Sequence, residues 1–442
     1  MFKHYTQLPL FAAAFITLSL TTAGHAVAGK LPQHAQNKQR VEGLYSGNLN
    51  AASYFQRGVT QYNRSDFKGA ELAFRKALEF DPLIPMARYL LGNSLLEQGR
   101  ASQASEQYQL AIGLDPTMAE AYYNLGLTLH RQNNTREAIT RYQQALSLNP
   151  NLAPAHYNMG LAFESQGRIE DAVSEYAEAI RLNPNYAVAQ YNLGLLLAKR
   201  NQTEPAITAL RQAVTSNPNL VQAHYQLGLL LVNEGQLDEA RQTLKTATEL
   251  DPNLASAQYQ LGVVYAAQGA YSAASRRFQE VTTLEPENVE AYRQLGAALT
   301  QDGQYKKAAA AFESVVRLVP SDPMAHYNLA VALQRAERYP EAIVQYQEAI
   351  LLKPNFSEAF YNLGIVLEQS QQRDQALTYL RKARDLFSQQ GNLAKISEVD
   401  QYVQQLTTPV TLSPVAQPTR PPAAQPQQPS FLRQTPSNGR GF

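Results

Sequence analysis

Between residues 187 and 220, apolar positions recur at helical spacing from Ala189 through Leu193 and Leu197. They break over the polar stretch Lys199 to Thr203, resume from Ala206 to Val214, and stop at Asn217-Pro218. The pattern predicts two amphipathic helices joined by a short turn, with the proline ending the second helix and biasing the residue before it away from helix. The same pattern returns every 34 residues. Gly58, Gly92, Gly126, Gly160, Gly194, Gly228, Gly262 and Gly296 mark eight units, Ala330 stands in the ninth and Gly364 in the tenth. Twelve residues after each mark is alanine, from Ala70 to Ala376, and five before it is alanine in every unit but the first, where Ser53 stands. Proline follows 24 residues after the mark in every unit but the last. Residues 51–390 are therefore predicted to form ten helical hairpins in an all-α solenoid, each hairpin burying its apolar face only against its neighbours.

Glycine and alanine at the marked positions carry almost no side chain, so the two helices of a unit can approach closely where they cross. The ends of such an array need polar caps. In the first unit Arg57 and Gln61 replace residues that are apolar in nearly every later unit, and after the last unit Leu393, Ile396, Val399, Val403 and Leu406 form a helical stripe. A capping helix is expected over 391–407.

The unit resembles the tetratricopeptide repeat (TPR) family. The likeness is carried by leucine-glycine pairs such as Leu193-Gly194, the alanine twelve on, and the closing proline. It extends to the aromatic or leucine sixteen residues after the mark, as in Phe74, Tyr108, Tyr142, Tyr176, Phe278, Phe312 and Tyr346. The family's frequent tryptophan, four before the mark, is replaced by Tyr54, Arg88, Tyr122, His156, Gln190, His224, Gln258, Tyr292, His326 and Phe360, and the chain has no tryptophan. The resemblance implies a right-handed superhelix whose first helices line an inner groove.

Outside the array the composition changes. Lys3 and His4 precede an apolar run from Leu8 to Leu20 and small residues ending Ala26-Val27-Ala28, the layout of a secretory signal cleaved after Ala28. The run is shorter than the roughly twenty residues a membrane span needs. A signal peptide is expected over 1–28 and a linker over 29–50, and the mature protein is expected in the periplasm or secreted, without an integral span. The chain has no cysteine, which excludes lipoprotein-type anchoring and disulfides. Residues 408–442 hold eight prolines among Gln, Thr, Ser and Ala, and a disordered tail is expected there. Without its leader the chain is net neutral, with the array near −5. No basic stripe points to nucleic acid.

Catalysis finds no support. The seven histidines, His4, His25, His34, His130, His156, His224 and His326, show no metal-ligand spacing, and no phosphate-binding glycine loop is present. His156, His224 and His326 share a slot that aromatics fill elsewhere and are read as packing residues. No enzyme activity, cofactor or metal is expected.

A binding face remains. On the first helices, residues six before, two before, one after and five after the mark share one side by the 3.6 period. Two before the mark stands an amide in every unit from the third: Asn124, Asn158, Asn192, Gln226, Gln260, Gln294, Asn328 and Asn362. An amide offers a donor and an acceptor, as the backbone of a bound peptide requires, and the row resembles the asparagine ladder of the TPR superhelix of O-GlcNAc transferase. Beside it run the rings Tyr123, Tyr157, Tyr191 and Tyr225, whose hydroxyls could reach a ligand. One after the mark stand Leu127, Leu161 and Leu195, where carboxylate-clamping TPR domains carry asparagine, so that clamp is absent. The edges vary, with Glu120, Pro154, Val188, Gln222, Ser256, Glu290, Met324 and Glu358 on one side and Arg131, Lys199, Asn233, Gln301 and Arg335 on the other. The expected partner is an extended or helical protein segment, in envelope assembly or export. A targeting subunit for a separate enzyme such as a glycosyltransferase, and an exopolysaccharide-export scaffold, are the other readings.

Overall fold

The computed structural model describes residues 47–408. The expected signal peptide, nearly all of the expected linker and the proline-rich tail beyond Thr408 lie outside the described residues. Helices alternate with short turns throughout, and among the described residues there is no strand. The contacts divide into two compact units, one ending at Ala291 and one beginning at Tyr292. The first contains α1 (Leu49–Asn63), α2 (Phe67–Phe80), α3 (Pro85–Glu97), α4 (Ala101–Leu114), α5 (Ala119–Arg131), α6 (Thr135–Leu148) and α7 (Ala153–Ser165). It continues with α8 (Ile169–Leu182), α9 (Ala187–Lys199), α10 (Thr203–Ser216), α11 (Val221–Asn233), α12 (Leu237–Leu250), α13 (Ala255–Ala267) and α14 (Tyr271–Leu284). The division falls inside α15 (Val289–Gln301). The second unit then holds α16 (Tyr305–Leu318), α17 (Pro323–Arg335), α18 (Tyr339–Leu352), α19 (Ser357–Gln369), α20 (Arg373–Gln389) and α21 (Leu393–Thr407).

Nine of the ten hairpins close on the marked glycine, and the ninth closes on Ala330. A β-carbon added at Gly160 would stand 2.6 Å from the ring of Tyr176, and one at Gly228 2.5 Å from Leu244, in each case the residue sixteen positions on. The alanines twelve after the mark, Ala70 to Ala376, are fully buried in all ten hairpins. Nineteen after the mark lies a further small buried residue, Ala77, Ala111, Ala145, Ala179, Ala213 and Ala247, with Val281 and Val315 in two units. Its carbonyl accepts the N–H of the residue that ends the second helix, as in Asn183 N–H to Ala179.

Two turns repeat. Within a hairpin the residue seven after the mark takes a positive φ in every unit: Gly167 at 73° is typical, but Ser65, Asn133, Asn201, Glu337 and Gln371 adopt the same conformation. Around Gly167 the backbone bonds Gly167 N–H to Glu164 and Arg168 N–H to Phe163, both 2.9 Å, form the Schellman arrangement that satisfies the last carbonyls of α7. Between hairpins, Asp or Asn before the proline accepts from the backbone N–H two residues on, as Asn183 does from Asn185 at 3.2 Å and Asp251 from Asn253 at 3.0 Å.

Within each compact unit second helices also pack on the first helix that follows, as α2 on α3 and α16 on α17 do, and first helices of successive hairpins touch directly, α3 on α5 and α5 on α7 among them. The last helix packs on α20, with Val399 fully buried beside Leu380, Leu386 and Phe387. The expected stripe holds at Ile396, Val399, Val403 and Leu406, but Leu393 is 78% exposed. It sits in the first residue of α21, just after the turn and short of the surface the helix covers.

Candidate binding face on the first helices

The tyrosines three before the mark are fixed from behind by the residue sixteen after it. Ring centroids of Tyr123 and Tyr142 are 6.1 Å apart, those of Tyr157 and Tyr176 5.8 Å, and those of Tyr259 and Phe278 5.5 Å. Aromatic pairs of this kind hold the hydroxyl at the helix surface. Burial pushes Tyr157 up to about 12, and it raises Tyr123 and Tyr191 as well, so these hydroxyls keep their protons at any physiological pH.

The amide row meets these hydroxyls. Asn158 Nδ2 donates to Tyr123 Oη of the preceding hairpin at 3.0 Å and to the Pro154 carbonyl at 2.8 Å. Asn192 Nδ2 donates to Tyr157 Oη at 3.2 Å and Asn362 Nδ2 to Tyr327 Oη at 2.9 Å. Asn124 is buried, its Nδ2 shared between Tyr89 Oη at 3.1 Å and Asn93 Oδ1 at 2.8 Å. The amino group in these four units is therefore a strut between successive first helices, and the side-chain oxygens of the half-buried Asn158, Asn192 and Asn362 take no part in it. Gln226, Gln260, Gln294 and Asn328 are half-buried in the same row. Tyr191, Tyr225, Leu127, Leu161 and Leu195 are half-buried on this face, followed by Leu229 and Val263.

The rim is partly neutralised. Glu164 accepts from Lys199 Nζ at 3.3 Å and from Tyr176 Oη at 3.0 Å. Arg293 occupies a slot that tyrosine fills elsewhere and pairs with Asp322 at 2.6 Å.

The slot four before the mark is polar clipping more than packing. Nε2 of His156, His224 and His326 donates to the carbonyls of Pro150, Pro218 and Pro320, and Gln190 and Gln258 reach Pro184 and Pro252 in the same way. A side-chain N–H thus ties the start of each of these five hairpins to the turn before it. The residue fifteen after the mark completes the clip: Glu175 accepts from His156 Nδ1 at 2.7 Å, and Arg277 donates to Gln258 at 3.2 Å. In the fifth unit Ala209 stands there, and the buried Oε1 of Gln190 has no partner. The packing role expected of these histidines leaves out the clip because the carbonyl they reach belongs to the backbone, which carries no sequence signal.

Among the described residues no cluster of three or more His, Asp or Glu could hold a metal ion, and no helix is long and apolar enough to cross a membrane.

Comparison with known proteins places this geometry. The TPR repeat profile matches residues 92–133, 129–167 and 163–200, and a tetratricopeptide repeat profile matches 358–389. The profile of the tetratricopeptide repeat protein 21 C-terminal ARM domain matches 182–360. The crystal structure of YrrB, a TPR protein with an unusual peptide-binding site, is 30% identical over 43% of this chain and 97% of its own, with a TM-score of 0.40. MamA from Desulfovibrio magneticus RS-1 is 27% identical over 38% of this chain and 96% of its own, with a TM-score of 0.36. Pseudomonas aeruginosa pilF is 23% identical over 47% and 95%, with a TM-score of 0.44. No curated protein matches the chain significantly. The chain belongs to the tetratricopeptide repeat family, whose all-α solenoids are in general non-catalytic scaffolds for protein–protein interaction.

Proposed function

We propose that this protein is a non-catalytic scaffold that holds a segment of a partner protein on the face of its first helices, in the bacterial envelope after export. One observation carries the reading: a row of amides, fixed in position by tyrosines of the preceding hairpins, runs beside half-buried Leu127, Leu161 and Leu195. Rigid hydrogen-bonding groups next to an apolar strip suit a polypeptide, whose main chain and side chains need one each. YrrB, 30% identical, is described as binding peptide, which agrees with this reading. Export rests on the layout of residues 1–28 and the absence of cysteine.

A photo-crosslinking residue placed at Leu161 or Leu195 in cells should give a discrete polypeptide adduct. The same residue at the exposed Gln212 on α10 should give none. Adducts from Gln212 alone would overturn the assignment of the face. N-terminal sequencing of the protein from the periplasmic fraction should begin at Gly29, and an intact Met1 in the cytoplasmic fraction would remove export from the proposal.

A further inference from the structure

We propose, resting on and deepening the reading above, that fifth to seventh hairpins form the primary docking segment, and that its occupant is an extended, uncharged stretch of a partner protein. The row of amides is not uniform. Asn158 and Asn192 spend their amino groups on the hydroxyls of Tyr123 and Tyr157. In the next two hairpins the asparagine becomes glutamine, one methylene longer, which carries the amide past the hydroxyl that its predecessors reach. No hydrogen bond ties Gln226 to Tyr191 or Gln260 to Tyr225, and neither glutamine side chain has a partner in the protein, although both are half-buried. The fifth to seventh hairpins therefore present two whole amides, each with donor and acceptor, beside the hydroxyls of Tyr191 and Tyr225. Half-buried polar groups left open in this way are best satisfied by a ligand that supplies both an N–H and a C=O.

A peptide main chain supplies that pair at regular intervals, and Leu195, Leu229 and Val263 lie alongside to receive its apolar side chains. Charge excludes other sequences. The edges of these hairpins carry Val188, Gln222 and Ser256 on one side and Asn233 and Ala267 on the other, while Lys199 is already paired with Glu164. At the equivalent edge elsewhere stand Glu120, Glu290 and Glu358. A charged segment would lose hydration on this stretch without gaining an opposite charge.

The test uses the full chain and a random 12-residue peptide library displayed on phage. Enriched peptides are synthesised with a fluorophore and titrated by anisotropy. The expected peptides are poor in Lys, Arg, Asp and Glu. The informative variant is the double change Gln226→Asn and Gln260→Asn, which introduces the strut that Asn158 and Asn192 make and closes both amides onto Tyr191 and Tyr225. It should raise Kd at least tenfold while the melting temperature holds or rises, whereas Leu351→Ala on the exposed side of α18 should leave Kd within twofold. If peptides are enriched but the double variant binds as before, and Leu127→Ala with Leu161→Ala abolishes binding, the segment is wrong while the scaffold reading stands. If no peptide is enriched and a glycan array gives saturable binding, peptide recognition itself falls.

Discussion

A single backbone angle at the middle of each hairpin separates what the fold requires from what the sequence spells out. The residue seven after the mark is left-handed in all ten units, yet five of them place there a residue that carries a side chain. A left-handed residue with a β-carbon costs roughly 1–2 kcal/mol relative to glycine. Glu337→Gly, at φ 62°, should therefore stabilise the protein by about 1 kcal/mol in urea unfolding. Gly167→Ala should cost a similar amount. At the mark itself the constraint is steric. Gly160→Val would drive its side chain into Tyr176 and should cost about 1–3 kcal/mol by overpacking. His156 adds a pH dependence. Burial opposes its charge, but the hydrogen bonds to Glu175 and to the Pro150 carbonyl, with the charge of Glu175, raise its pKa above 6.5. A raised folded-state pKa contributes stability that is complete below the unfolded value and lost as pH rises through the folded one. The urea midpoint should fall between pH 6 and 8, and His156→Gln should flatten that fall. Periodicity revealed the positions of glycine, alanine and proline because selection for close approach acts on the residue there. The clip made by His156 was hidden, since one partner is a carbonyl and any N–H donor of the right length serves, as Gln190 and Gln258 show.

At the scale of the element, α21 is the piece whose removal is most informative. Val399 is fully buried against Leu380, Leu386 and Phe387, and Arg384 pairs with Asp400 at 2.6 Å. Val399→Asp would bury a carboxylate among apolar groups and should destabilise the end of the array by at least about 3 kcal/mol. Limited proteolysis would report it as rapid cleavage in α20 and α21 with the earlier hairpins intact. The helix and its apolar stripe were legible from spacing alone, apart from Leu393, whose exposure depends on where the turn releases the chain. The amide row was legible as a row but not as two kinds of amide. Whether a carboxamide is a strut or an open group depends on the reach from one hairpin to a hydroxyl 35 residues earlier, and a difference of one methylene is invisible to periodicity.

At the scale of the whole molecule, contacts among the described residues of each compact unit run between sequence neighbours, so stability there is a sum of hairpins and the interfaces between them. Amide hydrogen exchange should reflect this. Protection should be highest in hairpins flanked on both sides, such as α7 to α10, and lowest in α1 and α21, which among the described residues have a neighbour on one side only. Equal protection from end to end would show a cooperative unit larger than the hairpin. The near-neutral charge is a whole-chain property too. The choice of occupant is made locally.

The strut between Asn192 and Tyr157 has an implication for anyone who would rearrange these modules. Half of each crossbar is encoded in one cassette and half in the cassette upstream, so a hairpin cut out and reinserted elsewhere brings an incomplete joint. The cassette that carries Gln226 or Gln260, placed after a tyrosine-bearing one, would leave a gap in the railing, and the cassette that carries Asn192 would shut it. Recognition in such a chimera would be written by the order of its parts as much as by their contents.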